Sequence, residues 1–514
     1  MKHGLLCLCL VLGLCGAAVA AQEKSSILNM SRDELVKKVL ELEKRIEQLE
    51  KKEAAPAPPV QEKAGLGKRV EELEKKSAGS EEFDKASLQS AQEMEQRLNT
   101  MDKGKPGNPN LTANWKDGLT FTSSDKAFSL KVGGRLQYDM GIFENDSDLM
   151  NYLKGNSNLG KLSDGVEFRR ARVNLQGTIY TNYEYRAEYE FGTGNNTSRF
   201  KDVYMGITNI PYLGGIRIGH FKEPFSLELL ASDLDVTFME RSLGTAFYPD
   251  RNLGIMVYNN YLEQKITAAI GVFRNDENES GLMQGNGNYN ITGRFTGLPW
   301  YENEGEHLLE IGAAFSHRDP NKAIRFRERP EAHLAPRFVD TSYMDTTNKI
   351  QMDIPARNVD LVNGELALVY GPASLQGEYT HVFVDSPQLN DPEFHEFYIQ
   401  GSYFLTGEHR PYKTTTATFD RVKPNKNFMD GKGGLGAWEV ALRYSQLDLG
   451  DKKLNARVPA PGYAFAPARA LEDITAGLTW YMNPNTKVYW NYILAHTEGI
   501  GDDNIFQMRF QIDF

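Results

Sequence analysis

Within EFRRARV (167–173) three guanidinium groups fall in four residues, and the spacing of Arg170 and Arg172 matters more than their number. Two apart in an extended chain, they project to the same side of a strand, with Arg169 at the strand's start. Arg135 takes the matching side of the preceding strand, and Arg186 and Arg217 that of two later ones. IRFRERPEAHLAPRF (324–338) adds Arg325, Arg327, Arg329 and Arg337. A guanidinium stays charged and meets oxyanions with a planar fork, so a row of them lowers the barrier to anions. Glu184, Glu188 and Glu190 share the face of Arg186 and oppose that field. A salt-bridge ladder that merely satisfies a polar lining therefore stays open as a second reading.

The elements that must position these groups read as strands with two unlike faces. In FSLKVGGRLQYDMGIF (128–143), Phe128, Leu130, Val132, Leu136, Tyr138 and Met140 take one face. Lys131, Arg135, Gln137 and Asp139 take the other. Similar stretches recur to the end of the chain, where FQMRFQIDF (506–514) alternates strictly and finishes on Phe514. They number about 16, the even count and strand length of a closed barrel whose apolar faces meet lipid. Short turns such as MNPN (482–485) and long polar segments such as 274–288 and 408–436 suggest one short-turn rim and one long-loop rim. In a soluble sandwich the aromatics would be scattered. Here Tyr403-Phe404, Trp480-Tyr481 and Tyr489-Trp490 gather near strand ends, as interfacial girdles do.

Other classes are set aside on specific grounds. A formal charge of −11 argues against nucleic-acid partners. The only cysteines are Cys7, Cys9 and Cys15, all in the leader, so the mature chain has no disulfide or thiolate chemistry. The chain carries neither HExxH nor GxSxG, and its His220, His317, His381 and His409 share no ligand spacing, so neither an enzyme nor a cofactor is expected. Asp233 and Asp235 read as turn or rim residues.

The N-terminal fifth differs in kind. Residues 1–20 have the charged start, apolar run and small-residue exit of a signal peptide. Residues 21–53 carry a heptad seam at Leu35, Val39, Leu42, Ile46 and Leu49, with Lys and Glu between, as in a coiled coil. A Pro/Ala linker (54–66) follows, then a helical or disordered stretch (67–110), and the barrel occupies 111–514. The expected fold is an all-β transmembrane barrel of about 16 antiparallel strands behind a periplasmic α-helical coiled-coil segment. That segment suits self-association or a grip on peptidoglycan, which would make the protein a structural envelope tether.

Four stretches carry a family resemblance: FSLKVGGRLQ (128–137), EFRRARV, GHFKEPFSLELLASDLDVTFMERS (219–242), and YFLTGEHRPY (403–412) with GAWEVALRY (436–444). From about residue 120 to the end the chain resembles the phosphate-selective porin O and P family of Gram-negative outer membranes. The resemblance implies a homotrimer of 16-stranded barrels in outer-membrane lipid, with small anions as permeants. By position in the motifs, Arg135, Arg169, Arg170 and Arg241 look like the family's pore arginines, and Arg172 shares their face. Arg325 and Arg327 resemble its extracellular arginine ladder. Phe514 resembles the terminal signal read by barrel-assembly machinery. The chain departs from the family where constriction lysines belong: Leu229 and Leu230 follow FSLE, and VDSPQLNDPEFHE (384–396) offers Asp385, Asp391, Glu393 and Glu396. A weakly to moderately anion-selective channel is therefore expected, with a high-affinity phosphate porin as the alternative.

Overall fold

Strands that are apolar on one face and polar on the other leave no free edge and no wet apolar surface only if the sheet closes around its polar side in lipid. The computed structural model describes residues 111–514 except 116, 145–146, 156–161, 194–196, 276–288, 346–349, 452–462 and 466–468. The expected signal peptide, the coiled coil with its seam at Leu35, Val39, Leu42, Ile46 and Leu49, the linker and the 67–110 stretch lie outside the described residues. One antiparallel sheet of 18 strands dominates, and 16 of them form a closed barrel. In chain order these are β1 (Ser129–Phe143), β2 (Gly165–Ile179), β3 (Tyr183–Thr193), β4 (Thr197–Ile210), β5 (Gly214–Lys222) and β6 (Arg251–Tyr261). Next come β7 (Ile266–Arg274), β8 (Tyr289–Glu302), β9 (His307–Arg318), β10 (Asn358–Tyr370) and β11 (Ala373–Asp385). The last are β12 (Glu393–Phe404), β13 (Ala437–Asp448), β14 (Ala470–Asn483), β15 (Thr486–Thr497) and β16 (Gly501–Asp513).

Closure comes from β16 pairing with β1, from Ile505↔Phe143 to Asp513↔Arg135. Beyond that register the edge of β1 would be bare. A hairpin of Leu111–Trp115 and Leu119–Ser123 covers it, pairing Leu119–Thr122 with Val132–Ser129. The alternation at the C-terminus sorts as expected: Gln507, Arg509, Gln511 and Asp513 are buried inside, while Phe506, Phe510, Ile512 and Phe514 are 41–46% exposed outside.

Two sequence expectations change. Arg169 is not at a strand's start but at a β-bulge within β2, where Gln137 pairs with Arg170 and the next residue, Tyr138, pairs with Phe168. The extra residue turns Arg169 to the same side as Arg170, which simple alternation forbids. The segment 408–436 belongs to the short-turn rim, not to the loop rim, because it joins β12 to β13 as 371–372 joins β10 to β11. It is long because it folds up into the lumen. Its hairpin of Tyr412–Lys413 and Thr418–Phe419 buries Tyr412 and Phe419 against Leu227, Leu298, Leu308 and Val369. The aromatic pairs also divide: Tyr481 and Tyr489 are buried, whereas Trp438, Trp480 and Trp490 stack along the outer wall at 5.2 and 6.4 Å.

From the opposite rim the loop 223–250, joining β5 to β6, folds inward with Phe225, Leu227, Val236, Phe238 and Met239 buried. It crosses to the far wall: Tyr489 donates to the Val236 carbonyl at 3.2 Å, and Lys487 to that of Leu234. Phe238 fits against β14 because residue 477 is glycine; a Cβ there would stand 2.9 Å from the ring. Gly477→Val should therefore push the loop off the wall at a cost of about 1–3 kcal/mol. The temperature at which the folded band disappears in SDS gels should fall, and adding Phe238→Ala should restore it. No rescue would mean that Gly477 serves the strand and not the loop.

Candidate functional site

The inward loop brings acids to a wall rich in arginine, and their pairing builds the lumen. Asp233 lies among Arg135, Arg170 (2.8 Å) and Arg172 (2.9 Å) from β1 and β2. Arg172 also meets Glu190 at 2.8 Å and Glu188 at 3.3 Å, and Arg135 meets Glu188 at 3.2 Å. Glu240 takes both nitrogens of Arg169, at 2.8 and 3.0 Å, and one from Arg509 at 2.6 Å. Glu228 accepts from Arg443 at 3.2 Å, while Arg443 also grips Glu331 of the second inward loop, 319–357. Burial alone would raise the Asp233 and Glu240 carboxyls. The surrounding guanidinium groups instead hold both well below the usual carboxylate range.

Among the described residues two cavities stand out. The one on the long-loop side measures about 590 Å³ and the one on the short-turn side about 710 Å³. Lys222, Asp233 and Arg251 line both and so mark the throat between them. Every wall residue lining either cavity comes from β1 to β8; from β9 to β16 there is none among the described residues. Rings concentrate in the lower cavity, where the Arg217 guanidinium lies 4.1 Å from the Tyr204 ring centre and 5.1 Å from that of Tyr258.

The expected pore arginines thus fall into three groups. Arg135, Arg169, Arg170 and Arg172 face the lumen but spend their charge on carboxylates. Arg241 lines the upper cavity and donates only to carbonyls, those of Glu228 (2.8 Å) and Ala231 (2.7 Å). Arg325 binds Asp340 at 2.9 Å, and neither it nor Arg327 lines either of these two cavities. From the same loop Arg329 and Arg337 line the upper cavity instead. Asp385, Asp391, Glu393 and Glu396 line neither cavity.

Sequence reasoning placed Asp233 in a turn, where it is, but missed that this turn lies inside the lumen and not at the rim. The ammonium of Lys222 turns inward to the carbonyls of Leu229 (2.5 Å) and Ala231 (3.3 Å). Four cations of the upper cavity, Lys222, Arg241, Arg329 and Arg337, form no ion pair among the described residues.

A barrel of 16 strands with an inward loop and an arginine-lined throat has relatives. The family model described as phosphate-selective porin O and P matches residues 130–514. Porin O of Pseudomonas aeruginosa is 30% identical over 415 residues, 76% of this chain and 88% of that one. The chain belongs to the phosphate-selective porin O and P family. Two solved structures resemble this porin more distantly. The anion-selective porin from Comamonas acidovorans has 13% identity and a TM-score of 0.45, over 75% of this chain and 100% of that one. OmpF of Salmonella typhi, in complex with daunomycin, has 14% identity and a TM-score of 0.46, over 78% and 100%. As a member of this family the porin is an outer-membrane channel, and its short turns mark the periplasmic rim.

Asp233→Asn would leave three buried guanidinium groups facing one neutral amide. Breaking one partner of a buried pair costs about 3–5 kcal/mol, so the variant should lose its folded gel band at lower temperature. The same change removes a negative charge from the throat, so the selectivity of surviving channels in a KCl gradient should shift toward anions. Unchanged stability would show that Asp233 does not fasten the loop.

Proposed function

We propose that this porin is a diffusion channel for small hydrophilic solutes with weak to moderate preference for anions of the phosphate type. The observation that supports this is the division of labour among the lumen's cations. The arginines of β1 and β2 are neutralised by Asp233, Glu188, Glu190 and Glu240. The field offered to a permeant then comes from Lys222, Arg241, Arg329 and Arg337, which lie along the upper cavity as far as the throat. Water in the cavity screens each charge over about 8–10 Å at physiological salt, so the preference stays modest.

A tight phosphate site is the second reading, favoured by Lys222 at the throat. An ammonium has three donors, and two of those of Lys222 already go to carbonyls, which leaves one for a ligand. We therefore expect chloride to be favoured over potassium in reversal-potential measurements. Arg241→Glu should shift the potential toward cations, and phosphate should not block chloride current at micromolar concentration. Cation selectivity of the unaltered channel would overturn the reading, and micromolar block would establish the tight site instead.

The proposal extends to assembly. The chain acts as a homotrimer in outer-membrane lipid, guided there by barrel-assembly machinery that reads Phe514. Residues 21–53 form a periplasmic stalk that associates through Leu35, Val39, Leu42, Ile46 and Leu49 and can touch peptidoglycan. Sedimentation of the detergent-solubilised protein with and without 21–53 should give a trimer in which the stalk adds stability. If the two forms dissociate alike, the seam has no such role.

A further inference from the structure

His333 projects from the 319–357 loop into the upper cavity, which its side chain lines beside Glu167, Arg169 and Arg329. Its Nδ1 lies 2.6 Å from a carboxylate oxygen of Glu167 on β2, and its side chain is 36% exposed while that of Glu167 is 9% exposed. The position is fixed from both sides. Arg329 donates to the His333 carbonyl, and Leu334 packs over Gly141 and Gly165 on β1 and β2, within 3.4 Å of where a Cβ on either would lie. The charged groups facing the ring are Glu167 and Arg169 on the wall, Glu240 on the 223–250 loop, and Arg329 on its own loop. An imidazole open to the cavity and paired with a carboxylate belongs to the side-chain type whose ordinary charge change falls between about pH 5 and 8.

We propose that His333 and Glu167 form a proton-controlled element of the selectivity filter, which raises the channel's preference for anions as the external medium becomes acidic. This inference rests on the anion-channel reading given above. With neutral imidazole, Glu167 contributes a negative charge at the cavity wall. With imidazolium, the pair is neutral as a unit, and the excess of Lys222, Arg241, Arg329 and Arg337 acts on the permeant unopposed. Burial and then the neighbouring Arg169 hold the imidazole below its ordinary value, although the hydrogen bond to Glu167 works the other way. The ring is therefore neutral at neutral pH and takes up its proton only below the usual imidazole range. Other groups titrate in the same direction: burial raises Asp235, in the lower cavity, to about 6, and raises Glu328, in the upper one. Their contribution has to be separated from that of His333.

Chloride is the right probe because it does not titrate, whereas phosphate changes its own charge over the same range. Reversal potentials of the full-length channel in a KCl gradient are measured from pH 7.5 to pH 4.5. One unit charge about 8 Å from a permeant, in water and screened over about the same distance, changes its occupancy about 1.4-fold, in opposite senses for chloride and potassium, so the chloride-to-potassium ratio should rise about two-fold on acidification. His333→Gln should remove most of the rise. Glu167→Gln should raise the ratio at pH 7.5 and move the remaining rise to lower pH, and Asp235→Asn should leave most of it in place. Each variant is first shown to give the heat-modifiable folded band. A full rise in His333→Gln, or its disappearance in Asp235→Asn alone, overturns the proposal. A channel without anion preference at pH 7.5 that still shifts through His333 would defeat the functional reading and leave this element standing.

Discussion

Everything inside this barrel depends on neutralising a charged loop in a charged tube. The 223–250 loop brings Glu228, Asp233 and Glu240 into a lumen where Arg135, Arg169, Arg170, Arg172, Arg443 and Arg509 project from the wall. Neither set is tolerable alone, because a buried charge without a partner costs several kcal/mol. Together they fix where the loop crosses. Arg443 extends the arrangement by binding Glu228 of one inward loop and Glu331 of the other, so both loops hang from a single side chain on β13. Ser445 and Thr475 complete the anchorage by donating to Glu331 at 2.5 and 2.6 Å.

On the reading proposed above, that chemistry keeps a lining so rich in arginine from acting as an indiscriminate anion trap. A guanidinium already bonded to two carboxylates has little left to offer a passing ion. The groups that can act on a permeant are those whose partners are carbonyls, which carry no net charge to cancel theirs. Lys222 and Arg241 are held by the turn of backbone around Leu229 and Ala231, so the short helix Leu227–Leu230 positions charge as well as packing the core.

The barrel was legible because its period of two is enforced along almost the whole of each strand: a residue faces lipid or it faces the lumen. Each of the 16 expected strands exists, with ends differing by a few residues. What alternation cannot express was not legible. The bulge at Arg169 breaks the period locally, and nothing in EFRRARV announces it. Lys222 sits where its strand ends and the period stops constraining direction. Asp233 lies in a loop with no period at all, and its role arises only from where β1 and β2 run. The placement of 405–436 was available in principle, since counting strands assigns every join to a rim; polarity and length were the wrong guides to it.

Among the described residues, the wall residues that line the two cavities described above all belong to β1 to β8. One arc of the circumference therefore borders those cavities, while both arcs hold the loops. Substitutions on the inner face of β9 to β16 register as changes in how firmly the loops are held, whereas those on the opposite arc, whose β1 and β2 arginines grip the 223–250 loop through Asp233 and Glu240, change the hold and the passage together. A lineage could thus retune the permeant by altering one arc of wall while inheriting the other intact. The same division tells an engineer where a new selectivity can be written without first rebuilding the barrel.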